Sequence, residues 1–391
     1  MLMFSTVTAL IGVLGVLALV LLYPLFLVIA VRIAPARLRK DEAYLPTVTV
    51  LTATRNAADF IDGKIDNTFA LDYPADRINM VITLDGNDPL TEKRVLERGD
   101  SRVRLVTYDS HLGKASAINR ALPQCTHDVL LMTDADALLD SQALRRLVRH
   151  LADERVGGVG GRRLIRRDQA QMKEAQQSYI SADSGIKAWE SRLGYTTAND
   201  GKLYAVRREL IDEIAEGVTD DLYAALKVVS SGKRFLFEPG AIAEIKVPSR
   251  HPAHEITRRR RVVCRSLTGI WKKREVLNPA RYGIFSVGLL VNKILRRLLP
   301  VFLILLLVGS LGLAVAAPWT WPLLAVQALF YLLAASYVVP MLSALRDRAG
   351  KLSQTAFYFC IGNYGTLLGL YDFLSGKRVL RWEPVKQDQP T

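Results

Sequence analysis

The chain has 391 residues, half of them hydrophobic, and a formal net charge of +14. That length holds one sizeable soluble domain plus membrane segments, and the apolar share is too high for an ordinary soluble protein. Cys125, Cys264 and Cys360 are scattered without metal-ligand spacing, so they read as reduced thiols in or beside a cytosolic region.

Residues 1–31 carry no charge, and the first charged residues are Arg32, Arg37, Arg39 and Lys40. The stretch is longer than a signal-peptide core and has no basic leader, which predicts a membrane helix with its C-terminal side in the cytoplasm.

From Val48 to Val247 the pattern alternates. Val48–Thr52 is strand-like, Ala58–Phe69 helix-like, Ile78–Ile82 strand-like and Pro89–Arg98 helix-like. Val103–Val106, Lys114–Leu122 and Val129–Met132 continue it as strand, helix and strand. Such alternation implies an α/β domain over 45–250 with a mostly parallel sheet and helices on both faces.

Strand ends in such sheets lie along one edge and present ligand-binding groups. Here they carry Thr52, Thr54 and Asn56, then Asp85 with Gly86, Asn87 and Asp88, then Asp134 and Asp136. Two carboxylates in Thr133-Asp134-Ala135-Asp136 suit a divalent cation bridging to phosphate oxygens. Lys114 opens a helix where the dipole disfavours cations, which points to an anionic partner. There is no phosphate-loop or dinucleotide glycine signature, so a bound nucleotide must be held by side chains and a metal.

Beyond the domain, residues 254–297 contain Arg258-Arg259-Arg260-Arg261 and read as amphipathic helices on the cytoplasmic bilayer face. Residues 298–345 are uncharged and broken by Pro318-Trp319-Thr320-Trp321-Pro322, which predicts two spans joined by a tight external turn. Residues 354–375 form an interfacial helix or a fourth span, because Asn363 and Asp372 interrupt a length sufficient to cross. A tail occupies 376–391. Basic residues flank the hairpin at Arg296, Arg297, Arg346 and Arg348, which places the domain at the cytoplasmic face of the inner membrane. The charge suits lipid headgroups and phosphorylated ligands, and no nucleic-acid-binding module is recognisable.

The first strand with Thr54-Arg55-Asn56, the Leu84-Asp85-Gly86 turn, Gly113 to Asn119, Thr133 to Asp136, Asn199-Asp200-Gly201 and Thr219-Asp220-Asp221 stand in one order. Together they resemble the family 2 inverting glycosyltransferases, and the flanking membrane segments resemble those of hyaluronan, cellulose and poly-N-acetylglucosamine synthases. The resemblance implies the glycosyltransferase A-type fold and a UDP-linked hexose or N-acetylhexosamine donor contacted by Thr52, Thr54, Asn56, Asp85, Lys114, Asp134, Arg258 and Arg261. It further implies Mg2+ or Mn2+ on Asp136 and Asp134, an acceptor at Asn199, Asp200 and Gly201, and Asp221, with Asp220 beside it, as catalytic base. Where processive members carry Gln-x-x-Arg-Trp, this chain has Arg258-Arg259-Arg260-Arg261-Val262. Diphosphate neutralisation survives that change, and an acceptor-stacking Trp does not.

The expected activity is transfer to a growing polysaccharide or a lipid-linked acceptor, with a second subunit or copy completing an export path. Single addition to a glycolipid is an alternative within the class, and a nucleotide-binding membrane transporter or receptor is an alternative outside it.

Overall fold

The computed structural model describes residues 2–165, 173–245 and 251–377. The expected tail from Arg378 onward lies outside them. Helix α1 (Leu2–Leu17) passes through a π-turn (Ala18–Leu22) into α2 (Tyr23–Ile33), giving one uninterrupted apolar rod. The α/β domain follows. Strand β1 (Val48–Thr54) is buried along all seven residues, as a central parallel strand covered on both faces should be. Its side chains alternate: Val48 and Val50 enter one apolar cluster with Ile61, Ile65 and Met80, and Leu51 and Ala53 enter another with Val81, Ile118 and Leu130.

Helix α3 (Ala58–Phe69) leads to β2 (Ile78–Leu84), and α4 (Pro89–Arg98) to β3 (Val103–Val106). Asp88 fixes the start of α4 by accepting from Thr91 N at 3.2 Å, with Pro89 in the first turn, and Gly99 closes it at φ 59°. Helix α5 (Lys114–Ala121) precedes β4 (Val129–Met132), β5 (Leu138–Leu139) and α6 (Ala143–Val148). The second half comprises β6 (Val156–Ile165), α7 (Lys173–Arg192), β7 (Tyr204–Arg207), α8 (Asp220–Ser230) and β8 (Arg234–Ile245).

Among the described residues, strands β1 to β8 form one sheet in the order β3-β2-β1-β4-β7-β6-β8-β5. The first four pair in parallel, as the alternation required. The sheet is mixed beyond them: β7 is antiparallel to both β4 and β6, β6 and β8 are parallel, and β5 is antiparallel to β8. Because β1, β2 and β4 point the same way, the loops holding Asn56, Asp85 and Asp134 share one edge.

Helix α9 (Pro252–Lys272) leaves the domain, followed by α10 (Pro279–Tyr282) and α11 (Ile284–Leu289). From α11 the chain runs without a break through Leu290–Ile294 and Leu295–Leu298 into α12 (Leu299–Ala316), then turns at Pro318–Thr320 into α13 (Trp321–Ala335). Among the described residues three helices are long and apolar enough to cross a membrane: Leu2–Ile33, Ile284–Ala316 and Pro318–Ala335. α1 packs closely on α12: a Cβ at Gly309 would stand 2.4 Å from Ala9 N, a contact open only to glycine.

Within the expected interface region 254–297, the segment from Tyr282 to Arg297 packs in part on the α/β domain. Phe285 and Leu289 are buried in the second domain core, and Asn292 is buried with its amide bonded to Thr197 Oγ1 at 2.9 Å. Apolar residues at i and i+4 thus pack against protein instead of lipid. Helix α14 (Ser343–Ala349) then leads to α15 (Lys351–Leu374), which is not among the three candidate spans. It lies against α9, and its awkward Asp372 is buried in an ion pair with Arg260.

Candidate functional site

Asp134 and Asp136 leave β4 on a short loop braced from below by Lys64. That lysine is fully buried on α3, and its ammonium donates to Thr133 Oγ1 at 2.9 Å and to the Ala137 carbonyl at 2.8 Å. Burial drives its pKa down to about 7, while Asp134 and Asp136 oppose the shift.

Above the loop, Lys114 Nζ sits 2.8 Å from Asp134 and 3.0 Å from Asp220. Lys202 Nζ sits 2.9 Å from an oxygen of Asp134 and 2.9 Å from one of Asp136. Burial would raise the pKa of Asp134, but the two ammonium groups outweigh it and hold the carboxyl well below the usual range. The anionic partner expected for Lys114 is therefore met within the chain by two carboxylates, and the same cation joins the Asp134 loop to α8.

The two carboxylates that converge on Lys202 define one point of positive charge, a position a hard divalent cation fits. No third His, Cys, Asp or Glu joins them among the described residues. A metal of the magnesium or manganese type, which takes few carboxylates and completes its shell with water and phosphate oxygens, suits that donor set.

Asp220 and Asp221 open α8, whose N-terminus favours carboxylates. Asp221 Oδ1 accepts from Leu222 N at 2.7 Å, and Oδ2 accepts from Gly201 N at 3.0 Å. Asn199 Nδ2 donates to the Asp221 carbonyl at 3.1 Å. Asp200 pairs with Arg163 at 3.0 Å. The 199–201 segment therefore orients the Asp221 carboxylate directly. Burial, then the charges of Asp220 and Asp200, push the Asp221 carboxyl up to about 6, against the Leu222 N–H and Lys114. A proton acceptor of that strength is matched to neutral pH.

Gly160 on β6 makes room for the arrangement, because a Cβ there would meet Asn199 Oδ1 at 2.6 Å. On α9, Arg258, Arg261 and Arg265 follow one another at helical spacing on one face. Arg258 pairs with Glu255. Arg261 has no carboxylate partner among the described residues, and burial followed by the charges of Arg265 and Arg258 lowers its pKa to about 10. Arg265 is buried and donates to the Val218 carbonyl at 2.9 Å; burial lowers its pKa, against the opposing charges of Asp220 and Asp221.

Several expected nucleotide contacts sit otherwise. Thr52 and Thr54 are sealed in β1 at 0% and 1% exposure, beneath the sheet edge rather than on it. Asp85 is 1% exposed: Oδ1 accepts from Leu112 N and Gly113 N, both at 3.0 Å, and Oδ2 lies 2.9 Å from His111 Nδ1. It pins the loop that delivers Lys114. Asn56 is exposed and has φ 50°, the left-handed conformation Asn tolerates, with its N–H donating to Asp88 at 2.7 Å.

Behind Asp221 lies a cavity of about 190 Å3, lined by Asn199, Asp200, Asp221 and Arg258 together with α7 and the run into α12. Asp85, Asp134 and Asp136 do not line it. Asp136 and Asp221 are connected through Lys202, Asp134, Lys114 and Asp220.

Lys64, Lys202, Arg265 and Gly160 were missed in the sequence. Arg265 was recoverable from its seven-residue spacing to Arg258, and Gly160 from the run Val156-Gly157-Gly158-Val159-Gly160-Gly161. Lys64 and Lys202 carry no local signal.

Residues 46–265 match the profile described as "Glycosyltransferase like family 2". The poly-beta-1,6-N-acetyl-D-glucosamine synthase of Staphylococcus aureus is 24% identical over 237 residues, covering 59% of this chain and 53% of that protein. The corresponding synthase of Staphylococcus epidermidis is 20% identical over 243 residues, covering 60% of this chain and 55% of that protein. The chain thus spans about half the length of these curated relatives. Among solved structures, the mannosyltransferase PcManGT of Pyrobaculum calidifontis, in complex with GDP-Man and Mn2+, superposes with a TM-score of 0.71 at 24% identity, covering 95% of this chain and 99% of that one.

Proposed function

The chain belongs to glycosyltransferase like family 2, and from that premise we propose that it transfers a hexose or N-acetylhexosamine, with inversion, from a UDP-sugar to a glycan or lipid-linked acceptor. The reaction takes place at the cytoplasmic face of the inner membrane, in a multi-pass protein. The observation that carries this reading is Asp221 itself: a carboxylate aimed by Gly201 N, with its pKa pushed up to about 6, next to Asp220, which Lys114 links to the Asp134 loop.

An acceptor hydroxyl attacks the anomeric carbon from the side opposite the diphosphate. Asp221 takes the hydroxyl proton as the new carbon–oxygen bond forms, and the electrons of the broken bond leave on the diphosphate. Asp134 and Asp136 would hold a divalent cation, whose chemistry is to neutralise that leaving group. Lys114, Lys202 and Arg261 add fixed positive charge around it. Asp85 acts one step back, by fixing the 112–113 backbone before Lys114. The two synthases support a polysaccharide product, and the missing Trp at 262 leaves single addition to a lipid as the second reading.

The test is nucleoside-diphosphate release by purified protein, UDP from UDP-glucose or UDP-N-acetylglucosamine and GDP from GDP-mannose, with Mn2+, with Mg2+ or with chelator. Metal-dependent UDP release from a UDP-sugar is the expected result. No release from any UDP-sugar with either metal overturns the reading.

A further inference from the structure

The cavity behind Asp221 has more positive charge than a neutral acceptor needs. Its lining holds seven cations, among them Arg163, Lys187, Arg258 and Arg259, against three carboxylates, Asp183, Asp200 and Asp221. Some of the cations are accounted for. Arg163 pairs with Asp200 at 3.0 Å and Lys187 with Asp183 at 2.7 Å, and Arg258 and Arg259 both reach Glu255 just outside the lining. Arg296 lies 3.6 Å from the already paired Asp183.

Lys293 and Arg297 are different. Neither forms an ion pair among the described residues, Arg297 Nε is buried with no hydrogen-bond partner, and its Nη2 reaches only Ser266 Oγ at 3.5 Å. Removing a cation from water without a partner is costly, so two such groups on one wall mark a place for an anion.

Position narrows the choice of anion. Lys114, Lys202, Asp134 and Asp136, which would face the donor diphosphate, do not line this cavity. Asp221 forms part of its wall, so the cavity lies on the acceptor side. Residues 292–297 run directly into the apolar helix α12, which puts the cavity where the domain meets the membrane. Its volume is about six times the ~30 Å3 share of one water molecule, room for a tetrahedral anion and part of what it is attached to. Guanidinium forks favour phosphate.

We propose that this cavity binds an acidic group of the acceptor, of phosphate chemistry, and that Lys293 and Arg297 hold it while an acceptor hydroxyl faces Asp221. This rests on the glycosyltransferase reading above. The phosphate can come from a lipid at the membrane surface or from a soluble phosphorylated sugar.

The full-length protein in neutral detergent, saturated with UDP and Mn2+ to fill the donor side, is titrated with inorganic phosphate in one arm and with phosphatidic acid in mixed micelles in the other. Thermal unfolding is the readout. Saturable stabilisation is expected, weakened tenfold or more in Lys293→Gln/Arg297→Gln while UDP affinity stays unchanged. Lys293→Gln alone, expected to weaken it at least threefold, serves if the double variant does not fold. Stabilisation by phosphatidic acid only identifies a lipid source, and equal stabilisation by inorganic phosphate a soluble one. No saturable stabilisation by either probe, or wild-type affinity in the variants, overturns the proposal. Absence of UDP release with phosphate binding intact would instead sink the glycosyltransferase reading.

Discussion

Replacing Asp220 with Asn should move the acid limb of the pH–rate profile to lower pH. Asp221 is raised from 3.8 to about 6, roughly two pKa units or about 3 kcal/mol against its ionised form. Burial is the largest cause and Asp220 the next. Asp220→Asn removes that neighbouring charge and also leaves Lys114, now paired with Asp134 alone, to act more strongly on Asp221. Because burial remains, the limb should move by about one unit, or ~1.4 kcal/mol. The assay is kcat/KM for UDP release between pH 4.5 and 8. A base must be deprotonated to work, so wild-type activity should fall as pH drops through about 6, and the variant should hold its activity about one unit lower. A wild-type limb near pH 4, or an unmoved limb in the variant, refutes the assignment.

Other substitutions probe the supports of the site. Lys64→Met should weaken binding of UDP with Mn2+ by about tenfold in calorimetry, because the 133–137 loop loses two hydrogen bonds. The same change should flatten stability against pH: the folded protein holds Lys64 at about 7 against 10.5, so the unfolded chain binds more protons in that window and wild-type stability rises from pH 7 towards 10.5. Gly160→Ala should cost about 1–3 kcal/mol in denaturant titrations and slow transfer, since the new methyl displaces Asn199. Glu190 is fully buried and accepts from Tyr23 OH at 2.6 Å, Thr197 N at 2.8 Å and Asn292 Nδ2 at 3.3 Å, tying α2 and the run into α12 to the domain. Glu190→Ala should destabilise by roughly 3 kcal/mol, read as a lowered unfolding midpoint.

The first half of the domain was legible because its physics is local. Ala58–Phe69, Pro89–Arg98, Val103–Val106 and Val129–Met132 form as expected, set by apolar periodicity, the Asp88 cap and Gly99. The second half depends on long-range pairing: nothing local in Tyr204–Arg207 announces that it lies antiparallel between β4 and β6. The site divides in the same way. Asp134 and Asp136 were visible as carboxylates at a strand end, where open α/β sheets place function, and Asp220 and Asp221 were singled out by the family resemblance alone. Lys64 and Lys202 carry no local mark of a site, and only the folded sheet brings both onto the Asp134 loop. Thr52 was read as a contact because it is polar near a strand end, yet β1 extends two residues further and buries it. Phe285 and Leu289 have the spacing of a lipid-facing helix, which does not distinguish lipid from the flank of a protein core.

The most direct measurement compares UDP affinity and single-turnover sugar transfer in Asp221→Asn. Asn keeps the shape of the side chain and one acceptor oxygen for the Gly201 or Leu222 N–H, and removes the proton acceptor. Affinity for UDP with Mn2+ should stay within about threefold, while transfer falls by roughly 10²–10⁴-fold. Transfer at the wild-type rate would contradict the assignment of Asp221 as the base.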